Sequence, residues 1–419
     1  MGRNAVYLAI GFTITCLLSG MNLSRVSLEA FQNAISYQET SNGHNVVQAG
    51  TNFACQQLFL TPNWRAGFYM VPFAGGTFST TVTPVVNGND SSRIQVVTIG
   101  TYPAGSSRTQ DQYTIKILLQ PSLFSKFAYF SDNEPNNIFW TTGDTVWGPY
   151  HSNTKIYVNG NPVFNGKTTN YQGLSKQNTS DKPAFNGGYE TGVYITMPTD
   201  MNTLKGKAQQ SGGGFYQKTG KDLYLTFNAD SSVTYRSGTT GAWTKKSLAT
   251  FAGSNKVIVN DSGNIHVKGR LSGQVTIAAL NNTSSTTRGL VYIDSSVAYN
   301  TNPITNPSST DMLGIVATNN IMIKDTSYNN TSAGITIQAA MFSQDGGFGA
   351  ENYDTRASGV NGSIKLLGGI SQKARQAVGT SGSPGTGFKK SYFYDNRMLV
   401  TAPPSFPTTG SYEILEWLE

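Results

Sequence analysis

Nineteen consecutive residues without a charge, Ala5 to Leu23 (AVYLAIGFTITCLLSGMNL), constrain this chain more than any other feature. As a helix that run spans a hydrocarbon core of ~30 Å. Arg3 precedes it and Arg25 follows it. Its two Thr, one Ser, one Asn, one Cys and two Gly make it a helix suited to the company of other helices rather than to lipid alone. A cleaved secretory signal would need a small-x-small site near Ser19 or Gly20, and the match there is poor. A lipoprotein signal would need Leu and small residues before the cysteine, where this chain has Thr13-Ile14-Thr15-Cys16. The expectation is a retained anchor over residues 1–24.

Nothing in the following residues stops the helix. Apolar positions recur at Val26, Phe31, Ala34, Ile35, Val46, Ala49, Gly50, Phe53 and Leu58, mostly three or four apart, which is the spacing of one helical face. Thr61-Pro62 is the first stop signal, so the helix should end at Leu60. A kink is expected at Asn42-Gly43. From Ala5 to Leu60 the helix would measure about 84 Å, of which a bilayer uses about a third. The stretch 25–61 then reads as an amphipathic stalk, one face on the domain that follows and another free for partners. Helix packing in the membrane and the stalk is expected to use Leu8, Gly11, Ile14, Leu17, Leu18, Gly20, Phe31 and Ile35, with the two glycines allowing close approach.

Composition bounds the rest. Of 419 residues, 45 are Gly and only 13% are charged, against about 25% in an ordinary soluble domain. Gly and Asn at this density exclude a coiled coil or helical repeat for most of the length. The net charge is +7, but Lys and Arg are scattered singly or in pairs such as Lys245-Lys246, so no nucleic-acid-binding stripe is expected. A diffuse positive field can still favour acidic glycans. Cys16 and Cys55 stand about 58 Å apart along one helix and cannot pair within a chain. With no other cysteine, neither a disulfide framework nor a thiolate metal site is expected, and no motif calls for a cofactor.

Residues 62–120 read as a small antiparallel meander covered by the stalk. Thr77-Phe78-Ser79-Thr80-Thr81-Val82 and Tyr113-Thr114-Ile115-Lys116-Ile117 alternate between a buried and a wet face, with a turn at Asn87-Gly88-Asn89-Asp90 and a loop through Pro103-Ala104-Gly105. Over 121–375 the pattern becomes short apolar triplets between Asn- and Gly-rich bends: Ile156-Tyr157-Val158, Val257-Ile258-Val259, Ile265-His266-Val267, Val291-Tyr292-Ile293, Ile321-Met322-Ile323, Ile335-Thr336-Ile337 and Ile364-Lys365-Leu366. Each points two side chains inward and is too short to make a hairpin sheet alone. Stacking buries them, so the expected fold is mainly β: a long helix, a small antiparallel sheet, then a right-handed parallel β-helix, with a β-sandwich as the alternative. Residues 186–250 look like an excursion carrying a hairpin, and the aromatic tail 376–419 like a cap on the last rung.

Three local patterns suggest chemistry and fail on spacing. Gly160 to Thr168 resembles a phosphate loop but has five residues between its glycines, Pro162 inside and no helix after it. Gly346-Gly347-Phe348-Gly349-Ala350-Glu351 is a single copy of a calcium repeat that works only in tandem. Asp144, His151 and Ser152 lie within nine residues of extended chain, where a turn-stabilising role is expected rather than a triad. Asp132, Glu134 and Asp144 form a close acidic cluster with no cation beside them in sequence. The chain is therefore expected not to be an enzyme, a carbohydrate-active one being the remaining alternative by analogy of fold.

The order of parts, an apolar N-terminal helix with its amphipathic continuation followed by GGTFSTTVTPV and RIQVVTIGTY, resembles PilX-type minor pilins and related pilin-like envelope proteins. FAYFSDNEPNNIFWTTGDTVWGPYHSNTKIYVNGNPVFNGKTT, from Phe127, and YDNRMLVTAPPSFP, from Tyr394, are similar to a bacterial family that joins such an N-terminus to an exported β-helical domain. The resemblance implies a structural or minor filament subunit, anchored in the inner membrane with its domain in the periplasm or outside the cell. Its implied partners are other pilin-like subunits and the lipid bilayer. An adhesin binding surface glycans is the alternative. One departure stands out: if Gly2 were the processing site, Tyr7 would occupy the fifth mature position, where pilins typically carry Glu.

Overall fold

The computed structural model describes residues 2–87, 90–102, 111–356, 360–380 and 385–419. It is mainly β with one long N-terminal helix, and it divides into two compact units, residues 1–121 with 411–419 and residues 122–410.

In the first unit, helix α1 (Arg3–Leu60) runs without interruption, and the amide of Thr61 closes it on the carbonyl of Gln57. Its buried residues are Gly43, Val46, Val47, Gly50, Thr51, Ala54 and Leu58, a single stripe of three- and four-residue steps. The stripe lies on an antiparallel sheet of β1 (Phe68–Phe73), β2 (Gly76–Asn87), β3 (Asp90–Tyr102) and β4 (Asp111–Leu123). Phe78, Val82, Ile94, Val96, Ile115, Ile117 and Leu119 form its buried face, while Thr80 and Thr98 satisfy each other across β2 and β3 at 3.0 Å. The expected kink at Asn42-Gly43 is corrected to a close contact. A Cβ on Gly43 would lie 2.0 Å from the Tyr113 ring, so glycine is there to admit the ring. Of the expected turn and loop in the meander, Gly88, Asn89 and residues 103–105 lie outside the described residues.

Gly50 makes the same point with an opposite sign from helix propensity. A Cβ there would stand 2.5 Å from Phe78 and 2.9 Å from Thr98. Gly50→Ala should gain about 1 kcal/mol from propensity alone, yet overpacking a buried contact costs about 1–3 kcal/mol. The expected result is net destabilisation of the first unit in chemical denaturation of the full chain. Stabilisation would show that the helix does not sit this close to the sheet.

The sheet has a fifth strand that the sequence reading missed. The C-terminal strand Thr408–Leu418 lies beside β4, with Gln120 Nε2 donating to Glu413 at 2.9 Å and Arg65 to the Tyr412 hydroxyl at 3.3 Å. The expected cap over 376–419 is corrected accordingly. Only its first part belongs to the second unit, where Gly387–Phe393 is a further parallel strand on Val360–Ala374 and the residues after it pack on the flank of the strands. Phe406 packs on Phe342, the Thr276 hydroxyl donates to the Pro404 carbonyl, and Arg397 donates to the carbonyls of Ser309 and Asp311.

The second unit has large, mixed sheets dominated by parallel pairing. One ladder runs through Gly214–Gln217, Val257–Asp261, Gln274–Leu280, Met312–Ala317, Ile335–Ser343 and Val360–Ala374. A second runs through Leu223–Asn228, Ile265–Leu271, Val291–Tyr299, Ile321–Ile323 and Phe348–Ala350, setting Ile265, Val291, Ile321 and Phe348 in one buried column. The expected hairpin is present, with Leu223–Asn228 antiparallel to Ser232–Ser237. Residues 186–250 are not wholly an excursion, however, because Gly214–Gln217 and Leu223–Asn228 both continue the parallel ladders.

The stacking order departs from the chain order. After Val360–Ala374, the first ladder continues with Tyr129–Asn133, Tyr150–Ser152, Thr168–Asn170 and Tyr189–Thr191, strands that come earliest in this unit's sequence. Residues 192–213 therefore cross the ladder lengthwise. Val193 bonds Asn170, Ile195 bonds Asn153, the Thr199 carbonyl accepts from Gln344, and Lys205 pairs with Asp261 at 2.7 Å. Met197, Met201, Leu204 and Ala208 bury the strap's apolar side chains.

Candidate functional site

The residues expected to pack in a membrane and stalk all lie on α1 ahead of its buried stripe. Leu8, Ile14, Leu17, Leu18, Phe31 and Ile35 are exposed, and a Cβ on Gly11 or Gly20 would meet nothing within 4 Å. Among the described residues, α1 is the one helix with a stretch long and apolar enough to cross a membrane. Its threonines are no obstacle, because the hydroxyls of Thr13 and Thr15 donate to the carbonyls of Ala9 and Gly11 at 2.7 and 2.6 Å. Cys16 is exposed, whereas Cys55 is half-buried and burial pushes its thiol above the usual range.

The second site is the seam where Tyr129–Asn133 stacks on Val360–Ala374. The sequence reading left Asp132, Glu134 and Asp144 without cations, and this is corrected. Lys373 pairs with Asp132 at 2.6 Å, Arg375 with Glu134 at 3.0 Å and Lys390 with Asp144 at 2.8 Å. In-register parallel pairing sets the first two, since Ile370 faces Tyr129 and Ala374 faces Asn133. The side chains of Arg375 and Glu134 are 3% and 0% exposed, and the guanidinium lies 4.1 Å from the Trp140 ring centroid. Burial pushes the Glu134 carboxyl up, and Arg375 offsets that only in part. Around the pair, Tyr129 stacks on Tyr150 and meets Trp140 edge-on, while Trp140 Nε1 donates to the Tyr150 hydroxyl. A signal for this seam does exist in the sequence: Asp-x-Glu at 132–134 and Lys-x-Arg at 373–375 are complementary at a spacing of two.

The three local patterns that suggest chemistry have other occupations. Asp144 accepts from the Thr141 amide as well as Lys390, and His151 bonds Thr169 and Asn153, so no triad is assembled. Residues 160–168 contain the short strand Val163–Phe164. Glu351 accepts from the Asp325 amide.

The two buried histidines of the second unit titrate in opposite senses. His151 is held neutral: burial lowers it to about 4, against the weaker pull of Asn153 and Asp132. The Thr169 hydroxyl donates to its Nδ1 and its Nε2 donates to Asn153 Oδ1. From an unfolded value of about 6.5, the stability due to neutral His151 is full above that pH and is lost as pH falls toward 4. His266 stacks between Tyr224 and Tyr292, with Asp294 at 2.9 Å and Asp222 at 3.8 Å. Burial opposes its charge, Lys324 adds to that opposition, and the two carboxylates prevail and raise it. Its contribution is full below the unfolded value and is lost as pH rises through the raised folded value. Unfolding free energy measured from pH 4 to 8 should fall less steeply toward acid in His151→Gln and less steeply toward alkali in His266→Gln than in the parent. An unchanged slope in either variant contradicts the assignment.

No family model matches this sequence, and no curated protein matches it. Among solved structures, the chain is similar to the competence-associated pilin ComZ from Thermus thermophilus, at 12% identity over 91% of this chain and 97% of that one, with a TM-score of 0.38.

Proposed function

We propose that this chain is a membrane-anchored, pilin-like structural subunit, a minor component of a filament or envelope assembly. Its N-terminal helix sits among like helices and in the inner membrane, and its second unit stands in the periplasm or outside the cell. The observation that carries the reading is the division of α1. Residues 43–58 hold the helix to its own sheet, whereas the apolar side chains from Val6 to Ile35 are exposed. A single 58-residue helix measures about 87 Å, far more than a bilayer needs. The exposed part therefore serves two neighbours, lipid along Ala5–Leu23 and other helices along the whole length. The parallel ladders of the second unit are read as turns of a right-handed β-helix, the hand favoured for parallel crossovers.

Cys16 supplies the test. In membranes holding the full chain, mild oxidation is expected to give a disulfide-linked dimer that Cys16→Ser abolishes and Cys55→Ser preserves. Failure to cross-link, or cross-linking through Cys55 alone, would contradict association through the exposed helix.

A further inference from the structure

Tyr292, His266, Tyr224, Arg236 and Trp243 stand in one row across the strands of the second unit. Register sets the first four, since Tyr292 pairs with His266, His266 with Tyr224 and Tyr224 with Arg236. Residues directly opposite one another share a face. Arg236 is the anomaly of the row. Its guanidinium lies 4.7 Å from the ring centroids of both Tyr224 and Trp243, yet among the described residues it has no hydrogen bond or ion pair, and its Nε is buried without a partner. Arg288, Arg356, Arg375 and Arg397 of the same unit all place donors on oxygen. We propose that Arg236 is the centre of a contact between copies of this chain, where it receives the Glu416 carboxylate of a second copy.

The surroundings of Arg236 call for a protein carboxylate from elsewhere. Residues 214–247 hold five Lys and Arg against Asp222 and Asp230. Both carboxylates are engaged, Asp222 with the Asn264 amide and His266, and Asp230 with Lys245 at 2.7 Å. Arg236 lies outside the clefts of about 1020, 640 and 280 Å³ in this unit. Small-molecule sites are concave. An open face carrying Arg, Tyr and a Trp that is 48% exposed has instead the make-up of the few residues that dominate protein interfaces.

The C-terminal strand supplies the complement. Residues 411–419 contain three Glu and no Lys or Arg, and the strand is the outermost of its sheet. Glu413 accepts from Gln120 and Glu419 from Trp417, whereas Glu416 is exposed and has no side-chain partner among the described residues. Ile414 and Leu418, two residues to either side, are each 53% exposed, while Trp417 packs on the core of the first unit. Natural proteins keep an apolar sheet edge of this kind covered. Apolar side chains around Glu416 match the rings around Arg236, and an arginine fork takes a carboxylate bidentately. The contact joins different surfaces of two copies, so it extends into an open row rather than closing a dimer. It rests on the reading of the chain as a filament subunit and names a contact within that filament.

Two full-length chains made together in one membrane test the contact: the parent, and a copy carrying Arg236→Lys with Glu416→Gln. Only the parent has a carboxylate at position 416 and only the variant an amine at position 236, so a link between these positions forms only between copies. Carbodiimide, which joins an amine to a carboxylate touching it, should give the peptide linking position 236 to Glu416, read by mass spectrometry. Oligomers larger than the dimer, trapped by an amine-reactive cross-linker, should fall about tenfold in Arg236→Glu and in Glu416→Arg, the worth of one charge-assisted pair, and recover when the two changes are combined. Absence of the linked peptide, or a combined variant as low as the single ones, would overturn the proposal. Cys16 cross-linking of the parent, measured alongside, separates the two readings. If it occurs without the linked peptide, the subunit reading stands and this contact falls; if both are absent, both readings fall.

Discussion

Arg375→Met is expected to cost the second unit about 3–5 kcal/mol, because removing one partner of a buried ion pair leaves the other charge uncompensated. The Glu134 carboxylate would then be stranded in a site with no exposed side-chain surface, walled by Trp140, Tyr129 and Tyr150. Met keeps much of the volume over the indole, so the loss measured is mainly electrostatic. The double variant Arg375→Met with Glu134→Leu should recover most of it, since a buried pair exchanged whole for apolar residues is often neutral. Chemical denaturation followed by aromatic fluorescence reads both. A single variant within 1 kcal/mol of the parent would mean that the seam is held by its backbone ladder and aromatic packing alone.

Ile14→Asp addresses the N-terminal helix and should remove the chain from membranes. A carboxylate at the centre of a spanning helix costs about 2.5–3.5 kcal/mol on the insertion scale, roughly a hundredfold in the equilibrium. The run Ala5–Leu23 is only 19 residues long and already carries Thr, Ser, Asn and Gly, so it has little apolar excess to absorb the change. Ile14→Leu is the control for packing and should fractionate like the parent. An Ile14→Asp chain that still pellets with membranes and resists carbonate extraction would contradict the anchoring.

The helix was legible because its signals are local. An uncharged run, three- and four-residue apolar steps and a stop at Thr61-Pro62 specify a rod ending at Leu60, and the alternation in β2 to β4 specifies a sheet with one wet face. The triplets of the second unit were equally plain as inward-facing pairs. What local pattern cannot encode is the neighbour of each strand. Tyr129–Asn133 pairs with Val360–Ala374, and the C-terminal strand joins β4, through contacts made across most of the chain. The cations of the seam were missed for the same reason, although Lys373 and Arg375 match Asp132 and Glu134 in spacing and charge. Gly43 was misread as a kink because a glycine that makes room for a ring looks, in sequence, like one that breaks a helix.

The central claim is that the apolar half of α1 remains part of the working protein as its membrane anchor. N-terminal sequencing with intact mass of the full-length protein, extracted from the membranes of cells that make it, tests this most directly. The account predicts a chain that begins before Ala5 and retains the whole run to Leu23. A mature protein beginning beyond Leu23 would contradict it, because the residues assigned to lipid and to neighbouring helices would have been discarded.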